Sequence, residues 1–311
     1  MPAFLMPFAH VVSLVLAAAH TLLVTLGFAS DSGLTWVLAI TGLVIGVRTL
    51  LLPLTVHGVK LARASANARP ALDELRKRYA GRTDLDSLRA MREEQLAIQA
   101  EHGVSRAGCL PMLLQLPILF ALYGVLAAVA RGEAVGAMNA GLVGSLGSAS
   151  VLGVGLAERL GSLGSLGSLG SASAPGSGLA SLGSAPGAGL AERLASLGGL
   201  VTDPSHLVVI VALALTSAVL SYATQRWFTL PNMVLTGMPA AVADVQKMMP
   251  MLSALGLLAA SAAVPVGLLV YWVASNAYTL VQQAVIARWF PTPGSPAHDA
   301  WQARQVPPAT A

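Results

Sequence analysis

Five apolar windows, each near the length that crosses a bilayer core as a helix, contain a single Lys, Arg, Asp or Glu between them, Arg48. They are Gly33–His57, Gly108–Ala130, His206–Ala223, Met248–Val264 and Val266–Ala287. Mean hydropathy of +0.70, with 55% hydrophobic and 10% charged residues in 311, is extreme for a water-facing protein and reads as an integral membrane protein. Alternating strands of about ten residues, which a barrel would require, are absent, so the backbone has to satisfy its hydrogen bonds within helices. The expected fold is all-α, a polytopic membrane protein with five transmembrane helices.

Charge placement sets the orientation, because Lys and Arg near span ends stay on the cytoplasmic side. With the first span starting outside, residues 58–107, 224–247 and 288–311 lie inside and hold fourteen of the eighteen Lys and Arg, against Arg131, Arg159 and Arg193 outside. A multi-pass plasma-membrane protein with a cytoplasmic C-terminus follows. The pI near 9.6 reflects this asymmetry and a lipid bilayer as partner; with no basic patch interleaved with aromatics, specific nucleic-acid binding is not expected.

The chain then divides by composition. Residues 1–32 read as an N-terminal helix on the outer interface, or as a further span; Pro7, His10, Ser13, His20, Thr21 and Thr25 favour the half-wet position, and no basic region precedes them as in a secretory signal. After the first span, 33–57, residues 58–107 read as a cytoplasmic helical hairpin. Leu72, Leu75 and Tyr79 form one stripe, Gly81 to Asp84 the turn, and Leu85, Leu88, Met91, Gln95 and Ile98 the facing stripe, with Pro70 expected to kink or break the first arm. Residues 108–131 form the second span. Residues 132–203, rich in Gly, Ser, Ala and Leu, repeat Gly155–Leu160 as Gly189–Leu194 and read as a flexible outer loop insertion. Residues 204–290 carry spans three to five with a short cytoplasmic loop, and 291–311 a cytoplasmic tail.

No enzyme constellation emerges: there is no phosphate-cradling loop, zinc-binding His pair or nucleophile elbow. The six His are dispersed, so neither metal nor cofactor is expected, and the lone Cys109 reads as a small packed residue. What remains is polar side chains set in apolar helices. A guanidinium facing hydrocarbon costs roughly 2.5–3.5 kcal/mol, and Arg cannot shed its proton to escape that cost, so Arg48 calls for water, anions or acceptors at membrane depth. Gln115, Ser217, Ser221 and Asn276, with Tyr271, Trp272 and Tyr278 nearby, suggest together with Arg48 a hydrated cavity opening inward, although singly a Gln or Ser in a membrane helix is more often interhelical glue.

Four stretches carry a resemblance. They are Arg48–Thr55; Gly108–Ile118, which reads GCLPMLLQLPI; Met248-Met249-Pro250; and Pro265–Asn276, followed by Gln282-Gln283. In this order, with a charged hairpin between the first two, the chain resembles the YidC/Oxa/Alb membrane protein insertases. The resemblance implies five spans around an inward-open hydrophilic groove, with Arg48 matching the groove arginine and with nascent membrane proteins as substrates. A polar segment of the substrate enters the groove while its hydrophobic segment slides along the third and fifth spans. The hairpin is then the docking element for substrate or targeting factors, with action alone or beside the Sec translocon. Members often end in a basic tail that contacts ribosomes; residues 291–311 hold only Arg304 against Asp299, which leaves direct ribosome contact unsupported. The rival reading, a small-solute transporter, would call for matched halves and intramembrane acids, and the sequence offers neither. A purely structural assembly factor is a third.

Overall fold

The computed structural model describes residues 5–104, 110–129, 131–157, 204–235, 240–261 and 264–305. These form α1 (Met6–Thr25), α2 (Gly33–Leu50), α3 (Leu52–Arg78), α4 (Leu85–Glu101), α5 (Leu110–Val129) and α6 (Ala140–Ser148). A small antiparallel hairpin follows, β1 (Ser150–Val151) and β2 (Val154–Gly155), and then α7 (Pro204–Ala223), α8 (Ala240–Ser261), α9 (Val266–Trp289) and α10 (Pro296–Ala303). A π-helical turn, Thr224–Thr229, and a 3-10 turn, Leu230–Asn232, prolong α7.

Among the described residues, three helices are long and apolar enough to cross a membrane: Met6–Thr25, Gly33–Leu50 and Leu207–Asn232. The first belongs to the segment whose sequence left interface and span both open. The apolar part of α5, Leu116–Val129, is shorter. The last two expected spans are helical, as α8 and α9, but are not among the three. Asp244 and Lys247 make one end of α8 polar, and Ser275, Asn276, Thr279, Gln282 and Gln283 do the same to the middle of α9. A mostly helical membrane protein is what the structure supports.

Two prolines have opposite outcomes. The window 33–57, read as one span, divides at Leu51. Pro53 has no amide hydrogen to give the Thr49 carbonyl, so α2 stops at Leu50 and α3 begins afresh at Leu52. The joint stays bonded, the Leu51 amide donating to Val47 and its carbonyl accepting from Thr55, both at 3.0 Å. Pro70, in contrast, does not break the first arm of the expected hairpin: α3 runs through it to Arg78. One missing amide costs a single helical bond, and the buried Ala68 and Leu75 on either side keep that face packed.

The chain falls into two compact units. Unit 1 comprises residues 1–44, 117–218 and 255–275. Its core includes Leu16, Trp36, Ile40, Leu122, Leu126 and Leu269, all fully buried. The opening of the segment expected to be a flexible loop belongs to this core, since Met138, Leu146, Val154 and Leu156 are buried too. Asn139 starts α6 by accepting from the Leu142 amide at 2.9 Å, and the strands turn through Leu152 (φ +52°) and Gly153 (φ +87°), the two positive values that a tight hairpin turn requires. Polar contacts fix these pieces. The Trp36 Nε1–H donates to Ser145 Oγ (3.0 Å), which donates to the Ser30 carbonyl (2.7 Å); His20 Nε2 donates to the same carbonyl (2.9 Å) and stacks on Trp36 at 4.1 Å. The Ala137 amide donates to Ser13 Oγ at 3.1 Å. Residues 158–203, with the second copy of the repeat, lie outside the described residues, as does Cys109.

Unit 2 comprises residues 45–116, 219–254 and 276–311. Here α3 and α4 pack against each other across a turn at 79–84, tied by Tyr79 Oη donating to Glu94 Oε1 (2.7 Å) and by Arg78 paired with Glu94 at 3.2 Å. The bond to Glu94 raises the Tyr79 pKa, because the phenol must keep its proton to donate. Asp84 caps α4 by accepting from the Ser87 amide at 2.8 Å, which holds its carboxyl below the ordinary range. Arg69 donates to the Val234 carbonyl, and burial lowers its pKa. The Thr292 amide donates to Asn232 Oδ1 at 2.7 Å, and α10 rests on the 3-10 turn. Every Lys and Arg among the described residues except Arg131 belongs to unit 2.

Candidate functional site

Because Pro53 ends α2 early, Arg48 occupies the last helical turn, where the terminal carbonyls favour a cation. It is half-buried, and its Cζ stands 5.9 Å from the centre of the Tyr278 ring in α9. The face of the phenol ring carries negative charge density, so it partly replaces lost hydration around the guanidinium. The sequence pattern marks Tyr278 only as a neighbour; the pairing across two distant helices is a tertiary fact.

Tyr278 also lines a cavity of about 520 Å³ bounded by the first half of α3 and the second half of α9. Leu52, Val56, Val59, Val281, Val285, Ile286 and Phe290 make it apolar; Thr55, Gln282, Lys60 and Arg63 are its other lining residues. Val56, Val59, Lys60 and Arg63 share a face of α3 through their three- and four-residue spacings.

A third group is hydroxylic. Gln225 Nε2 donates to Ser253 Oγ at 2.5 Å and to Ser221 Oγ at 3.3 Å, the two hydroxyls lie 3.5 Å apart, and Ser253 donates to the Pro250 carbonyl at 3.1 Å. The sequence pattern points to Ser221 but to neither Gln225 nor Ser253. The four-residue step from Ser221 to Gln225 along one helix face was the available signal.

The remaining expected site residues are dispersed between the units. Asn276 is half-buried in unit 2 with Arg48 and Ser221. Ser217 is fully buried, Tyr271 buried and Trp272 half-buried, all in unit 1. The side chain of Gln115 lies outside the described residues. Among the described residues no group of three His, Cys, Asp or Glu could hold a metal ion.

Comparison with known proteins bears on this arrangement. Residues 27–293 match the family described as 60Kd inner membrane protein. A membrane protein insertase YidC from Tropheryma whipplei (strain Twist) is 31% identical over 295 residues, 94% of this chain and 86% of that protein. The protein of the same name from Streptomyces avermitilis is 30% identical over 278 residues, 89% of this chain but 57% of the relative. That from Bifidobacterium longum is 26% identical over 284 residues, 89% of this chain and 73% of the relative. A match of this extent leaves one assignment: the chain belongs to the 60Kd inner membrane protein family, that of the YidC insertases.

Proposed function

We propose that the protein inserts newly made membrane proteins through a hydrophilic groove open to the cytoplasm, in a bundle of five spans. Family membership supports insertion. The observation that carries the groove is Arg48, a permanent cation at the end of an apolar helix, half-buried and held by the Tyr278 ring. Ser221 and Asn276 of the same unit help to hold water beside it; Gln115 and Ser217 are assigned the same role from the sequence pattern alone. The hydrophobic segment of the substrate slides along α7 and α9, near Tyr271 and Trp272. Val208, Val211, Leu215, Val219 and Tyr222 form an exposed apolar stripe along α7, as such a path requires. The α3–α4 pair, on the cytoplasmic side, receives substrate or targeting factors, alone or beside the Sec translocon.

The energetics need neither a nucleotide nor a covalent step. About twenty residues such as Leu and Ile release roughly 6–12 kcal/mol on entering lipid, so the obstacle is moving the attached polar tail across hydrocarbon. A wet groove shortens that path. An acidic tail gains from Arg48 on the way in, and from the membrane potential on the way out.

Reconstitution into liposomes with a small single-span substrate tests the proposal, with protease protection as readout. Protection of the substrate's outer tail is expected with the protein and not with empty liposomes. Replacing Arg48 by Ala should reduce insertion of acidic-tailed substrates several-fold at unchanged protein abundance; equal insertion would remove the role assigned to this residue. Nothing observed favours the transporter.

A further inference from the structure

We propose that the unit 2 cavity binds one anionic phospholipid, with its phosphate on Lys60 and Arg63 and one acyl chain along Val56, Val281 and Val285. Three observations converge on this ligand. The lining is mostly apolar, with Thr55, Tyr278 and Gln282 its uncharged polar members, and among the described residues its only charged side chains are two cations one turn apart on the same helix face. Among the described residues neither cation pairs with a carboxylate, and α9 contains no acidic residue at all. The shape adds the third. From Leu52 to Arg63 the helix rises about 16 Å, close to the roughly 15 Å depth of one leaflet's hydrocarbon.

Other occupants fit less well. A free phosphate or small anion would use the two cations and leave the apolar length empty. A membrane-spanning helix, about 30 Å long, would extend well beyond the roughly 16 Å over which α3 lines this space. A zwitterionic lipid would fill the cavity but set its own cation near Lys60 and Arg63. Each basic residue close to an anionic headgroup contributes on a scale that makes two of them a preference of about 30-fold.

Native mass spectrometry of the full-length protein in detergent, offered equal amounts of dioleoylphosphatidylglycerol and dioleoylphosphatidylcholine, tests the site without any insertion assay. Expected is retention of one phosphatidylglycerol with about 30-fold preference. The double variant Lys60→Gln/Arg63→Gln should bring that preference close to parity. Val281→Trp, at a position 62% exposed where a larger side chain can be accommodated, should weaken retention of both lipids at unchanged helicity. Three results would overturn the proposal: equal retention by the unaltered protein, an undiminished preference in the double variant, or displacement of the lipid by inorganic phosphate. A photo-crosslinker at Val285 that captured a single-span substrate in phosphatidylglycerol vesicles, and no lipid, would assign the cavity to substrate instead.

Discussion

At the scale of single residues, the sequence exposes what is out of place and hides what is satisfied. Arg48 was legible because a cation in an apolar window has to be accommodated somewhere. The group of His20, Ser30, Trp36 and Ser145 was not, because each member is ordinary where it stands and the four meet only in the folded unit 1. Ser145 is its centre, accepting from one buried donor and giving to a shared carbonyl. Replacing it by Ala strands the Trp36 Nε1–H in a fully buried position, at an expected cost of about 1–3 kcal/mol. Thermal unfolding in detergent should show a lower midpoint for Ser145→Ala and no comparable change for the exposed Ser148→Ala. A second residue responds to acid. The Asp84 carboxyl is held below its ordinary value of 3.8 by the bond from the Ser87 amide. Its cap is therefore complete above that value and is lost as the pH falls through the depressed one. Hydrogen exchange at the Ser87 amide should accelerate there relative to neighbouring amides, whereas Asp84→Asn should flatten the response.

At the scale of elements, helices were readable and their joints were not. Apolar windows located α2, α5, α7, α8 and α9, since length and hydropathy are local properties. Whether a proline ends a helix depends on its surroundings, and Pro53 and Pro70 gave opposite outcomes. The stretch that opens 132–203 looked structureless because Gly and Ser dominate it, yet Val143 and Leu146 lie three apart on one face of α6 and bury together. Their partners come from distant sequence. Gly33 illustrates the constraint: an added Cβ would run into the Ser150 carbonyl of β1, whereas at Gly46 it would meet nothing within 4 Å. Gly33→Ala should destabilise the protein strongly or prevent its accumulation. Gly46→Ala should be neutral or stabilising by up to about 1 kcal/mol, since Ala is the better helix former. Expression level and unfolding midpoint of the pair would check both.

At the scale of the whole molecule, composition had already indicated a membrane protein, and the charge distribution carries further information. The described Lys and Arg gather in unit 2, with Arg131 the exception, and the orientation expected from charge placement assigns them to the cytoplasmic side. The proposed groove is less legible, because whether polar side chains on separate helices share one space is not a property of any one of them. If substrate tails cross under electrical guidance, dissipating the membrane potential should slow the insertion of acidic-tailed substrates more than neutral ones. The drive removed is about 2.3 kcal/mol per charge per 100 mV. Protease protection in liposomes with and without an ionophore would measure the difference, and equal slowing of both substrate types would count against that guidance.

The joint at Leu51 sets a long arm close to Arg48. The arm beyond it, α3, is 27 residues long, about 40 Å from end to end, and both backbone groups of Leu51 remain bonded across the joint. If the far tip of that arm receives substrate as proposed, a load on it would reach a joint three residues from Arg48.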